Sequence, residues 1–144
     1  MLDEVLVTTK LGSVIATDTA VMGAGRSVIE AIDREVHHSV VRVFIQEDLT
    51  VGIGDGLSLL GDLYYQGFDK IILHEENIVP EFFDLKTKLA GEVLQKFVQY
   101  RMPLAVVGDF SECTSKSLRD FIYECNQGQQ INFVPELSSA LKDL

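Results

Sequence analysis

The segment from Phe82 to Phe110, FFDLKTKLAGEVLQKFVQYRMPLAVVGDF, leaves this chain few architectures to choose from. It predicts one amphipathic helix, introduced by Pro80, with Leu85, Leu89, Val93 and Phe97 along its core face. Lys86, Glu92, Lys96 and Gln99 fall mainly on the other side, and Glu92 precedes Lys96 in the favourable (i, i+4) order. Arg101-Met102-Pro103 stops the helix, since proline cannot continue it. Leu104 to Val107 is then a short continuous apolar run, the pattern of a strand covered on both faces. Gly108-Asp109-Phe110 follows as a charged loop. A helix joined this closely to a doubly buried strand calls for a layered α/β domain.

The flanking sequence repeats the theme. Val28 to Asp33 and Val40 to Ile45 are apolar and β-branched, which predicts a β-hairpin with His37-His38 at its tip. Gly52-Ile53-Gly54-Asp55-Gly56 is a loop, with Asp55 or Ser58 available to cap the next helix. That helix carries Leu57, Leu60, Leu63 and Tyr64 and closes at Gln66-Gly67-Phe68. Ile71-Ile72-Leu73 is a second doubly buried strand, ended by His74-Glu75-Glu76-Asn77. A later helix carries Leu118, Phe121, Ile122 and Cys125, with Ser117 and Asp120 as a capping box and Gly128 at its end. Ile131 to Val134 is a last strand, and Ser138 to Leu144 a short closing helix. The order is a hairpin, then helix and strand three times, then a helix. It predicts a mostly parallel sheet whose antiparallel edge is the first strand of the hairpin.

Residues 1–26 precede a glycine-rich joint, Gly23-Ala24-Gly25-Arg26, and form an N-terminal extension to a domain over residues 27–144. Val5 to Thr9 and Val14 to Val21 suit two short strands about Leu11-Gly12-Ser13. The alternatives for the extension are a hairpin on a sheet edge, a hairpin on a second subunit, or a partly mobile segment.

Length and charge narrow the function classes. At 144 residues the chain suits one domain with a sizeable core. Its net charge of −10 is spread along the sequence, which disfavours nucleic acid and anionic lipid as partners. No apolar run approaches the roughly 20 residues that span a bilayer. The start, Met1-Leu2-Asp3-Glu4, is acidic where a signal peptide is basic, so a cytoplasmic location is expected. Cys113 and Cys125 have neither a CxxC spacing nor convenient histidines, so reduced thiols are expected, without a disulfide framework or a zinc site.

The wording of FFDLKTKLAGEVLQKF, PLAVVGDF and SKSLRDFIYECNQG resembles a family of small uncharacterised bacterial proteins, defined only as a domain of unknown function. The resemblance covers about residues 27–144. The element order looks like the STAS fold of anti-sigma-factor antagonists. Such regulators commonly read Asp-Ser-Ser-Gly before the central helix, with a serine phosphorylated by a partner kinase. Here the similar place is Asp84-Leu85-Lys86-Thr87-Lys88. Asp84 fits the aspartate, Leu85 and Lys86 replace the serine pair, and Thr87 is the nearby hydroxyl. That departure weighs against a phospho-switch.

No nucleophile–base pair is legible, and neither a metal nor a cofactor is implied. The Gly52 to Gly56 loop lacks both GxGxxG and the Lys-Ser/Thr of a P-loop. The expectation is therefore a non-enzymatic regulatory or protein-interaction module, with Asp84, Lys86, Thr87 and Lys88 as the surface for an unknown protein partner. The alternative is a small-molecule binder or small hydrolytic enzyme with a pocket beyond the C-terminal ends of the strands. His74, Asp84, Asp109, Ser115 and Lys116 would line it. There His74 could pair with Asp84 or Asp109 for acid–base work, or simply hydrogen-bond. Thr114 to Ser117, opening a helix, could hold an anion or simply cap. A third possibility is a structural homo-oligomer with residues 1–26 as a swapped strand.

Overall fold

The computed structural model describes residues 6–9, 12–15, 17–18, 26–32, 40–46, 48–50, 52–54 and 56–141. The strands are β1 (Leu6–Thr9), β2 (Gly12–Ile15), β3 (Thr17–Asp18), β4 (Arg26–Ile32), β5 (Val40–Gln46), β6 (Lys70–His74), β7 (Leu104–Val107) and β8 (Ile131–Val134). The helices are α1 (Leu57–Tyr65), α2 (Leu89–Gln99), α3 (Lys116–Gln127) and α4 (Leu137–Leu141). The joint at Gly23 to Gly25, His37-His38 and the last residues of the expected closing helix lie outside the described residues.

β1 and β2 form a separate antiparallel hairpin. The other six strands form one sheet in the order β3-β4-β5-β6-β7-β8. Its four strands β5 to β8 are parallel, as the alternation of helices and strands demands. β4 runs antiparallel to both β3 and β5. The expectation that β4 forms the edge of the sheet is corrected: β3 occupies its outer side, Thr17 opposite Ile29 and Asp18 opposite Val28.

The strand order never reverses, so successive right-handed crossovers carry their helices to the same face. On that face Phe44, Ile71, Leu73, Leu104, Val106, Ile131 and Phe133 pack with Leu60 and Leu63 of α1 and with Ala90, Val93, Leu94 and Phe97 of α2. The intervening residues of the same strands, Val43, Ile45, Ile72, Ala105 and Val107, point to the far face. There Ala140 and Leu141 of α4 cover them, and Lys70 Nζ donates to the Ala140 carbonyl at 2.8 Å.

α1 starts at Gly56, whose φ of 88° favours glycine, and no side chain caps it. The expected caps are corrected accordingly: Ser58 lies inside the helix, and Asp55 is outside the described residues. The expected stop is present. Gly67 has φ 82°, its N–H donates to Tyr64, and the Phe68 N–H donates to Leu63.

The central helix is shorter than expected. Pro80 opens only a 3-10 turn, Pro80–Phe83, and a second turn, Leu85–Thr87, follows. Lys88 then takes the left-handed conformation (φ 62°), which breaks the helical register, and α2 begins at Leu89. Its buried residues are Ala90, Val93, Leu94 and Phe97, whereas Leu85 and Leu89 are half-buried.

The cap of α3 is also corrected. Ser115, not Ser117, accepts from the Leu118 N–H, and Asp120 pairs with Lys116 at 2.8 Å. The apolar stripe Phe121, Ile122 and Cys125 packs half-buried on the core.

Candidate functional site

Beyond the C-terminal ends of β5, β6 and β7 three loops meet. Two are sewn together by buried amides. Asn77 is 1% exposed; its Oδ1 accepts from the His74 N–H at 3.0 Å, and its Nδ2 donates to the Asp48 carbonyl at 2.9 Å. Gln46 is fully buried, and its Oε1 accepts from the Asp48 N–H. The His74 ring turns into this seam, with Nδ1 2.7 Å from the Gln46 carbonyl oxygen. A buried amide with every bond made fixes a loop, because leaving one unmade costs about 1–3 kcal/mol.

The segment entering α2 is held by its own side chains. The Asp84 carboxylate accepts from the Lys86 N–H at 3.1 Å. The Thr87 hydroxyl donates toward two carbonyl oxygens, Glu81 at 2.9 Å and Asp84 at 2.8 Å, and accepts from the Leu89 N–H. Asp84, Lys86, Thr87 and Lys88 are all exposed, so they form a polar ridge ahead of α2.

An open groove of about 350 Å³ lies between that segment and the β7–α3 loop. Its apolar walls are Pro80, Phe83, Phe110 and Leu118; its rim carries Glu75, Asp109 and Glu112, with Cys113 beside them. The Phe83 and Phe110 rings stand 6.0 Å apart, and Phe110 rests edge-on against Phe133 in the core. Burial, together with the neighbouring Glu76 and Asp109 charges, pushes the Glu75 carboxyl above the usual carboxylate range. The Asp109 N–H donates to it and opposes that rise. Asp109 is lowered instead, because the Ser111 hydroxyl and N–H both donate to its carboxylate.

Of the five residues expected to line a pocket, only Asp109 lines this groove. His74 is turned into the β5–β6 seam, Asp84 is bound to the ridge, Ser115 caps α3, and Lys116 is paired with Asp120. The location rule behind that expectation relies on a crevice where strand order reverses. This sheet has no reversal, so loops make the groove. Sequence reasoning brings the segment His74 to Asn77 to these strand ends but does not single out Glu75 as a lining residue, nor Gln46 and Asn77 as buried amides. An available signal was Gly108 directly after a strand buried throughout, a place where a neighbour comes close.

Among the described residues no group of three or more His, Cys, Asp or Glu side chains is arranged to hold a metal ion. Nor is any described helix long and apolar enough to cross a membrane. Cys125 is half-buried, and its thiol is pushed up by that burial and by Glu124.

Comparison with known proteins adds one finding. A family model described as a domain of unknown function, DUF4180, matches residues 35–144, and the chain belongs to that family. The match begins after β4, later than the resemblance over residues 27–144. No curated protein and no solved structure matches the chain.

Proposed function

We propose, for this member of the DUF4180 family, a non-enzymatic binding module with a STAS-like core that works in the cytoplasm as a regulatory or protein-interaction domain. One observation carries this reading. Three of the side chains expected to do acid–base or nucleophilic work, His74, Asp84 and Ser115, each hold a loop or cap in place, while the ridge beside them stays exposed. The sequential sheet, its four parallel strands and the helices gathered on one face support the STAS-like assignment. Lys86 and Lys88 give the ridge a positive accent on an otherwise acidic chain, which suits an acidic patch on a protein partner. Thr87 serves as the latch of the ridge and not as a phosphate acceptor, because its hydroxyl is engaged three times.

The test is affinity capture by the intact chain, followed by Lys86→Glu with Lys88→Glu. Loss of a stoichiometric partner supports the ridge as the contact surface. Unchanged affinity for every captured partner removes it.

The groove favours a second reading, a small-ligand or side-chain site, because its apolar walls and polar rim match the usual make-up of such sites.

A further inference from the structure

Gly108 has no backbone need to be glycine, since its φ lies outside the left-handed region that disfavours other residues. Its need is steric. A Cβ there would stand 2.8 Å from Glu75 Cδ and 3.0 Å from both Cγ and Oε1. The absent methyl group therefore lets Glu75 lie across the end of β7. The register explains the meeting: His74 pairs with Val107, so the next residues of the two parallel strands fall side by side.

A carboxylate held in this way has lost part of its water, and the charged groups acting on it, Glu76 and Asp109, are both acids. Glu112 adds a further negative charge to the same rim. Facing them are Phe83 and Phe110, both half-buried, so part of each ring is open to the groove. An anion is repelled by each of these carboxylates, and Arg119, whose Nη1 donates to the Cys113 carbonyl, is not part of the lining. A neutral apolar ligand removes still more water from Glu75 and leaves its charge unanswered. A cation answers that charge and is also attracted by the negative face of an aromatic ring.

We infer that the groove takes an organic cation, an ammonium or guanidinium group on a short apolar body, with Glu75 as counter-charge and Phe83 and Phe110 as apolar wall. The volume of about 350 Å³ is near the lower end for ligand sites, the right scale for a single group of this kind. A free amine and a basic side chain of a partner share this chemistry. The inference rests on the groove being a binding site and is independent of the ridge.

The experiment is an amide NMR titration of the intact chain with probes of matched shape: phenethylammonium, phenethyl alcohol and phenylpropionate. A capped Gly-Gly-Arg-Gly-Gly peptide is the fourth probe. The expected result is that phenethylammonium moves the amides of Asp109 and Phe110 and binds at least about tenfold more tightly than the other two small probes. Glu75→Gln weakens it about tenfold while keeping the shape. Gly108→Ala weakens it similarly while keeping every charge, because the methyl group displaces a flexible carboxylate and leaves the backbone in place. Spectra matching the parent away from the groove show that both variants are folded.

Peptide binding tighter than phenethylammonium supports the inference with a partner's side chain as the source. The reverse order supports it with a free amine. Equal binding of the three small probes, or full binding by both variants, overturns the cation inference and leaves the groove a binding site. No shift at the groove with any probe overturns both the inference and the groove reading.

Discussion

The two ends of α2 have the same backbone peculiarity and opposite means of support. Lys88 at the entrance and Arg101 at the exit are the non-glycine residues of positive φ among those described, at 62° and 53°. At the exit the support is backbone and core. The Arg101 N–H donates to Val98, the Met102 N–H donates to Phe97, and the Met102 side chain is 2% exposed. At the entrance the Lys88 N–H likewise donates to Leu85, but the added support is polar and at the surface, in the Thr87 hydroxyl and the Asp84 carboxylate, in place of a buried side chain. A buried anchor makes the exit a permanent stop. A surface latch makes the entrance the end of the helix that a single substitution can loosen.

The largest effect is expected at the exit. Met102→Ala should lower stability by about 2–5 kcal/mol in chemical denaturation, the range for truncating a buried methionine. A loss below about 1 kcal/mol would mean that the exit has no core anchor and resembles the entrance.

Thr87→Val keeps the shape of the side chain and removes the latch. It should lower stability by about 1 kcal/mol. An amide exchange rate raised across residues 85–89 but not across 98–102 would confirm that the effect is local, whereas no change at either end would show that the hydroxyl is not the support.

Smaller still are the two glycine substitutions. A left-handed residue costs roughly 1–2 kcal/mol, partly offset by the roughly 0.5–1 kcal/mol that glycine loses in chain entropy. Lys88→Gly and Arg101→Gly should each therefore raise stability by up to about 1 kcal/mol, read as a higher melting temperature. A gain at one end alone would assign the strain to that end.

Glu75→Gln, away from both ends, is the control, and its effect should depend on pH. Glu75 has a raised pKa in the folded chain, so the native state holds its proton more firmly than the unfolded state does. The contribution is neutral in acid, where both states are protonated. It turns against the fold as pH rises from the ordinary carboxylate range through the raised value. The variant should match the parent in acid and exceed it at neutral pH. A difference independent of pH would mean that the carboxyl is not perturbed.

The same contrast explains what was legible in the sequence. The apolar runs Ile71 to Leu73 and Leu104 to Val107 announce buried strands because parallel strands are covered on both faces. Gly67 and Pro103 announce helix stops because their backbone chemistry is local. The entrance of α2 was hidden because its latch needs carbonyls that other turns deliver, while Leu85, Leu89, Val93 and Phe97 keep a helical spacing right through the break. That the Glu75 and Gly108 segments meet was legible from the strand alternation, but the close approach that makes Glu75 a lining residue was hidden because it depends on strand register. His74 and Asp109 carry suitable chemistry, but spacing alone could not show that one turns into a seam and the other onto a rim.

The unreversed order of the strands also bears on how the chain is made. As synthesis proceeds, β6, β7 and β8 each arrive beside a neighbour already present, and none has to insert between two others. The helices of the first face arrive interleaved with them, so that side is covered as it grows. On the far side, among the described residues, Val43, Ile45, Ile72 and Ala105 wait for Ala140 and Leu141, which come last. Until then a nascent chain presents a half-dressed sheet, the kind of surface on which chaperones act and from which aggregation starts.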